Sequence, residues 1–177
     1  GIDLTVGFVE TTASELANKI LSHINVWGDF CNVRARWTQN VANAQVRITR
    51  EGREYWCYLG TDNLHIKSPA PTMSLGGFTL KTPEAEYYRV IRHEAGHLWG
   101  FPHEHMRGEI VAQLVVHKTL AWGRRVLGWS EAMVRQNILT TLEESSLLGR
   151  GLDSPTDEES IMCYFLPGEI TVDGKPI

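Results

Sequence analysis

The chain is poor in cysteine: Cys31, Cys57 and Cys163 are the only three. An odd count permits at most one disulfide within the chain, and Cys31 with Cys57 is the candidate pair. Three buried free thiols are the other reading, and the sequence leaves both open. No apolar run approaches the length that crosses a bilayer. There is no excess of positive charge either. The formal net charge is −4 and the basic residues are scattered, which removes the electrostatic case for nucleic acid. No internal repeat, low-complexity tract or domain linker interrupts the chain. No signal peptide precedes Gly1, and a start on glycine reads as processed or trimmed. What remains is an ordinary globular composition, 42% hydrophobic and 21% charged, over 177 residues. That length suits one domain with a core of its own.

One stretch carries chemistry: Arg92-His93-Glu94-Ala95-Gly96-His97-Leu98-Trp99-Gly100-Phe101-Pro102-His103-Glu104. A helix turns about 100° per residue, so His93 and His97 lie on one face and can point two imidazoles at one metal ion. Glu94 stands beside that face and can reach a water at the metal without being a ligand. Gly100 suits a left-handed helix end, and Pro102 discourages further helix. His103 then returns as a third ligand from outside the helix. Three neutral histidines with one open position are the donor set of a catalytic zinc site, where bound water has a pKa of about 7. Glu94 is the natural general base. A histidine that merely satisfies a loop hydrogen bond is the bland alternative for His103.

The pattern H-E-x-x-H-x-x-G-x-x-H resembles the metzincin zinc endopeptidases, and the following Glu104 is similar to the astacin branch. Ser160-Ile161-Met162-Cys163-Tyr164 resembles the Met-turn of that branch. The resemblance implies that Met162 lies beneath the zinc and that Tyr164 approaches the metal and stabilises the transition state. Cys163 departs from the pattern, since astacins commonly have histidine there. A packed, inert thiol is expected at Cys163 rather than an inhibitory ligand. The chain also ends at Ile177 without the C-terminal helix that metzincins normally carry. The implied fold is α+β: a mixed twisted sheet with two long helices above it and a helical lower subdomain, with the zinc in the cleft between. The implied division is a single catalytic domain, 1–177, with residues of about 1–100 above and about 101–177 below. Secretion is implied by the family.

Taken in order, Leu4–Val9 alternates as a strand. Thr11 to Ser14 offer caps for a helix from Ala13 to about Trp27, with Leu16, Ile20, Ile24 and Trp27 as its core stripe. Val33–Trp37, Ala44–Thr49 and Tyr55–Leu59 are further strands, with a turn at Glu51-Gly52. Pro71–Phe78 is a short strand ending in glycines. By the family resemblance and its position before the zinc helix, Met73–Gly76 is the expected sheet edge that takes a peptide substrate as an added strand. Thr82-Pro83-Glu84 opens the zinc helix, whose buried side is assigned to Tyr88, Val90 and Ile91. Glu109 to about Leu127 is helical in pattern. Ser130 caps a second run from Glu131 to about Leu142, with Val134, Ile138 and Leu142 as its stripe. Thr171 to Pro176 form a turn-rich tail. His23, His65 and His117 lack metal spacing, and His105 is not needed as a ligand. Asp153, Asp157, Glu158 and Glu159 could hold calcium, though a solvated loop is the expectation.

Two functions follow. The first is a zinc-dependent endopeptidase acting on proteins or peptides, monomeric, with one catalytic Zn2+ on His93, His97 and His103. Glu94 is its base and Tyr164 its oxyanion donor. The alternative is a non-catalytic peptide-binding module on a metzincin scaffold with structural zinc. The presence of Glu94 speaks for the enzyme, because binding alone does not require it.

Overall fold

Alternation of apolar and polar residues in the first hundred positions produces a five-stranded sheet. The computed structural model describes residues 1–142 and 155–177. Its strands are β1 (Ile2–Phe8), β2 (Val33–Trp37), β3 (Val46–Thr49), β4 (Tyr55–Cys57) and β5 (Met73–Leu75), in the spatial order β2-β1-β3-β5-β4. β1 runs parallel to β2 and β3, and β3 parallel to β5. β4 alone is antiparallel, with Trp56 opposite Ser74. The sheet is therefore mixed, as expected. Where the edge lies is a correction. Met73–Leu75 sits between β3 and β4, and the free edge at that side is β4. Burial agrees, since Met73 and Leu75 are wholly buried whereas Tyr55 is exposed.

β3 also departs from simple alternation, because all four of its residues are buried. The polar one, Arg47, has its charge spread over three backbone carbonyls. Its Nε donates to Ala70 O at 2.6 Å, and its two terminal nitrogens donate to Ala44 O at 2.8 Å and Ile66 O at 2.7 Å. A buried guanidinium survives when its donors are satisfied in this way. Here it pins the connection that leads into β5.

Helix α1 (Ser14–Asn25) lays Leu16, Ile20 and Ile24 against the sheet, then tightens into a 3-10 turn over Val26–Asp29. Its N-cap is Ala13, with no side-chain cap, so the threonines before it do not play that part. The second long helix covers residues 84–98. It begins as an α-turn (Glu84–Glu86), widens to a π-helical stretch (Tyr87–Ile91) and returns to α-helix (Arg92–Leu98). The π-stretch shifts the phase of the buried face. Tyr87, not Tyr88, is buried, together with Val90, Ile91, Ala95 and Leu98. Pro83 occupies the N-cap, while the Thr82 hydroxyl accepts from Thr79 N. Val6, Ile20, Ile48, Met73, Tyr87 and Ala95 belong to one hydrophobic core.

The chain divides into two units, Gly1–Phe101 and Pro102–Ile177. The second has its own core of Ile110, Leu114, Val134, Ile138, Leu166 and Ile170. Its first helical run is broken: Gly108–Val111 stops, and the chain resumes at Val116–Trp122 and continues π-helically over Gly123–Leu127. The break makes room for backbone pairing, as Val115 N donates to Ile170 O and Val172 N to Gln113 O. The last residues are thus more than a tail. Ile170 is fully buried, and Leu166 and Ile177 exchange two backbone hydrogen bonds. Gly128, at φ 67°, ends the helical run before it. The Ser130 side chain caps Glu131–Val134 by accepting from Met133 N, as anticipated. That run extends π-helically to Leu139.

Replacing Arg47 by Met leaves the Ala44, Ile66 and Ala70 carbonyls without this donor. The expected loss is roughly 1–3 kcal/mol of stability, read as a lower midpoint in urea unfolding. An unchanged midpoint would show that the three bonds contribute nothing net.

Candidate metal centre

The segment from Arg92 to Met106 is shaped first by how its helix ends. Trp99 N donates to Ala95 O, Gly100 N to His97 O, and Phe101 N to Gly96 O. The last two are the paired bonds of a Schellman motif, which needs a residue in the left-handed region at the turn. Gly100 has φ 98°, a conformation open to glycine at little cost. Trp27 holds the same turn from α1's side. Its Nε1 donates to Arg92 O at 3.0 Å, and its ring stacks on Phe101 with centroids 4.9 Å apart. Sequence periodicity identifies Trp27 as core; its second contact, to the end of the histidine helix, was not legible.

The three histidines converge. One ligand nitrogen from each of His93, His97 and His103 lies within 4.8 Å of the others, so the group could hold a metal ion. The Nδ1 of His97 faces Phe101 O at 2.9 Å. A carbonyl only accepts, so Nδ1 carries the proton and Nε2 keeps the lone pair for a metal. The donor set itself, three imidazoles and no thiolate, suits zinc with a position left open.

Glu94 is buried, and its Oε2 has no hydrogen-bond partner. Burial pushes its carboxyl up to about 8, only weakly opposed by Arg89. An orphaned buried oxygen on the residue after His93 is what a dication and its water would compensate, since nearby positive charge favours the ionised form. The residues present therefore fit zinc.

Met162 and Tyr164 lie in a tight turn, with Cys163 N donating to Ser160 O and Met162 N to the Ser160 hydroxyl. Met162 is buried, and its carbonyl accepts from Glu104 N at 2.9 Å, tying this turn to the residue after His103. Glu104 in turn accepts from Asp157 N and from Arg107. The Tyr164 ring lies 4.4 Å from those of both His103 and His105. His105 is a residue whose importance the spacing did not reveal, since it lies off the ligand pattern. It is fully buried and bonded at both nitrogens, to Asn137 O and Tyr164 N.

The remaining candidates do not join the histidine cluster. Cys31, Cys57 and Cys163 are all free thiols. Cys31 donates to Trp27 O, and Cys57 to Tyr58 O and Asn63. Burial pushes the Cys57 thiol far above its usual range and the Cys163 thiol up to about 11, the latter helped by Glu104, Glu158 and Asp157. Both are packed, protonated groups near neutral pH. His23 is buried against Glu84, while His65 and His117 are exposed. Among the acidic loop residues, Asp157 accepts from Glu159 N and Glu158 from Gln113; Asp153 lies outside the described residues.

No protein-family profile matches the chain, and no curated protein does. Solved structures do. A structure of myroilysin superposes with a TM-score of 0.85 at 27% identity, over 99% of this chain and 83% of that one. A second myroilysin structure gives 0.64 at 26% identity, over 98% and 74%. High choriolytic enzyme 1, a hatching-enzyme zinc-protease of the medaka fish Oryzias latipes, shares the fold, with a TM-score of 0.58 at 14% identity over 96% and 71%. The fold, the histidine cluster and these likenesses make the chain similar to the astacin-like metzincins, a group of zinc metalloendopeptidases.

Proposed function

We propose that the chain hydrolyses internal peptide bonds of proteins by water attack, with His93, His97 and His103 holding one zinc ion and Glu94 moving the proton. The observation that carries this reading is the buried, unpartnered Oε2 of Glu94 beside three converging imidazoles. A module that only bound peptides would gain nothing from a desolvated carboxylate there, and burying one costs stability. Zinc, when bound, acts as a Lewis acid toward the scissile carbonyl and acidifies water.

The chain's own residues do the rest. Glu94 accepts a proton as the water oxygen adds to the carbonyl carbon, then delivers it to the amine nitrogen as the C–N bond breaks. The His97 Nδ1–H bond to Phe101 O keeps that ring in one tautomer and orientation. Tyr164 donates its phenolic hydrogen to the oxygen that becomes negative, an interaction strongest in the transition state. Met162, packed under the turn, sets the height of Tyr164.

The substrate's backbone pairs with the free edge β4, as an added antiparallel strand. Trp56 and Tyr58, in edge-to-face contact there, offer an apolar surface to its side chains. None of the helices among the described residues is long and apolar enough to cross a membrane. Secretion and a monomeric state complete the proposal.

Three outcomes test it. Glu94→Gln is expected to retain one zinc per chain by elemental analysis while cleavage of a generic protein substrate falls by roughly 10²–10⁴-fold; a variant that cleaves at the parent rate sinks the mechanism. His103→Ala should lose zinc on dialysis against a mild chelator, and full retention would remove His103 from the ligand set. Tyr164→Phe is expected to lower kcat by roughly 10²-fold with KM little changed. An unaltered kcat would dismiss Tyr164 as the oxyanion donor.

A further inference from the structure

We propose that His105 is the positioning residue for Tyr164, and that it affects turnover through Tyr164. The proposal rests on the oxyanion role of Tyr164 given above. It begins with a buried imidazole that the metal pattern does not use. His105 has no exposed surface and sits in the single 3-10 turn Glu104–Met106. Its Nε2 faces the carbonyl of Asn137 at 2.9 Å, and its Nδ1 accepts from Tyr164 N at 3.2 Å. The carbonyl can only accept and the amide can only donate. The two bonds therefore select one neutral tautomer, with the proton on Nε2 and the lone pair on Nδ1.

The partners are informative. Asn137 lies near the C-terminus of its helical run, where carbonyls are left without intrahelical donors, so His105 satisfies one of them. That bond ties the imidazole to a helix anchored in the second core by Val134 and Ile138. From this fixed ring, Tyr164 is located twice. Its backbone nitrogen is held at Nδ1, and its phenol ring lies nearly flat on the imidazole, at 18° with centroids 4.4 Å apart. One bond and one ring plane leave a side chain little freedom except rotation of its hydroxyl. The His103 ring packs 4.9 Å from His105 and 4.4 Å from Tyr164, so ligand and tyrosine share one support. A histidine that merely filled the core would not place its lone pair on the tyrosine's own amide. Transition-state donors repay this kind of support, because an error of about 1 Å in placement costs on the order of 10²-fold in rate.

Two substitutions divide the contributions. His105→Phe keeps a flat ring and removes both hydrogen bonds. His105→Asn removes the ring and retains an oxygen near the place of Nδ1. Each is made in the parent and in the Tyr164→Phe background, with kcat, KM and zinc content measured, and with amide hydrogen exchange of residue 164 followed in the metal-free protein. In the parent, His105→Phe is expected to lower kcat about tenfold, the coupling of an ordinary contacting pair, with KM and zinc content unchanged. His105→Asn recovers part of that loss. In the Tyr164→Phe background, His105→Phe changes kcat less than about twofold. The residue 164 amide exchanges faster in His105→Phe and regains protection in His105→Asn. Equal losses of kcat in both backgrounds overturn the proposal, because His105 then acts elsewhere. So does an amide that stays fully protected in His105→Phe. Should the phenylalanine variant fail to fold, His105→Asn closes the same cycle alone. A Tyr164→Phe protein with parental kcat would refute the oxyanion reading instead, and the exchange data would still decide whether His105 holds the tyrosine.

Discussion

The end of the histidine helix is the constraint on which the site depends. Two of the three clustered histidines lie before it and one after, and the separation is only the turn from Leu98 to Pro102. The chain can reverse there because Gly100 adopts a positive φ and the Schellman bonds of Gly100 and Phe101 close the last turn. Phe101 then serves three neighbours at once: its amide closes the helix, its carbonyl orients His97, and its ring packs on Trp27. Trp27 reaches back to Arg92 O, the start of the same α-helical segment. One indole therefore braces both ends of the seven residues that carry His93, Glu94 and His97. Gly60 N adds a donor to His97 O, fastening the loop after β4 to the same place.

Glu94 illustrates a general tension between stability and chemistry. Its carboxyl is buried with one oxygen unpartnered, which costs folding free energy in the metal-free protein. A protein interior tolerates such a group when the surroundings over-determine it. Ala95 and Leu98 on the same helix, both buried in the first core, supply that rigidity. The unpartnered carboxyl rides on a helix whose adjoining residues are firmly packed.

Much of this architecture was legible in the residues, for identifiable reasons. The strands β1 to β3, the stripe of α1 and the cap at Ser130 follow from short-range periodicity and capping chemistry. The histidine cluster follows from spacing along one helix and one glycine turn. What escaped the sequence depends on long-range partners. β5 was expected at the edge from the family resemblance and its place before the histidine helix, yet only the pairing of Tyr55–Cys57 decides which strand is last. Tyr88 looked buried because an α-helical period was assumed through a π-helical stretch. The role of Arg47 carried no signal in the sequence, because nothing local announces the three carbonyls that enclose it. His105 looked idle because its meaning lies in Asn137 and Tyr164, far along the chain. Cys31 and Cys57 were open between two readings, and each thiol has a separate hydrogen-bond acceptor.

The two edges of the sheet are protected differently. An unpaired strand edge is a template for any extended chain, including a second copy of the same protein. At β2, Arg34 and Arg36 project into solvent, Arg36 paired with Asp3, and the charge discourages a neighbouring strand. β4 carries no such guard within its three residues, and Tyr55 and Trp56 would welcome an apolar partner. Its protection is brevity. Charged Arg53 and Glu54 precede it, and Gly60 turns the chain away soon after it. An edge this short gives an incoming strand few backbone bonds, enough for a passing visitor and too few to nucleate a stack. By the same brevity, the edge offers a second copy of the chain little backbone to pair with.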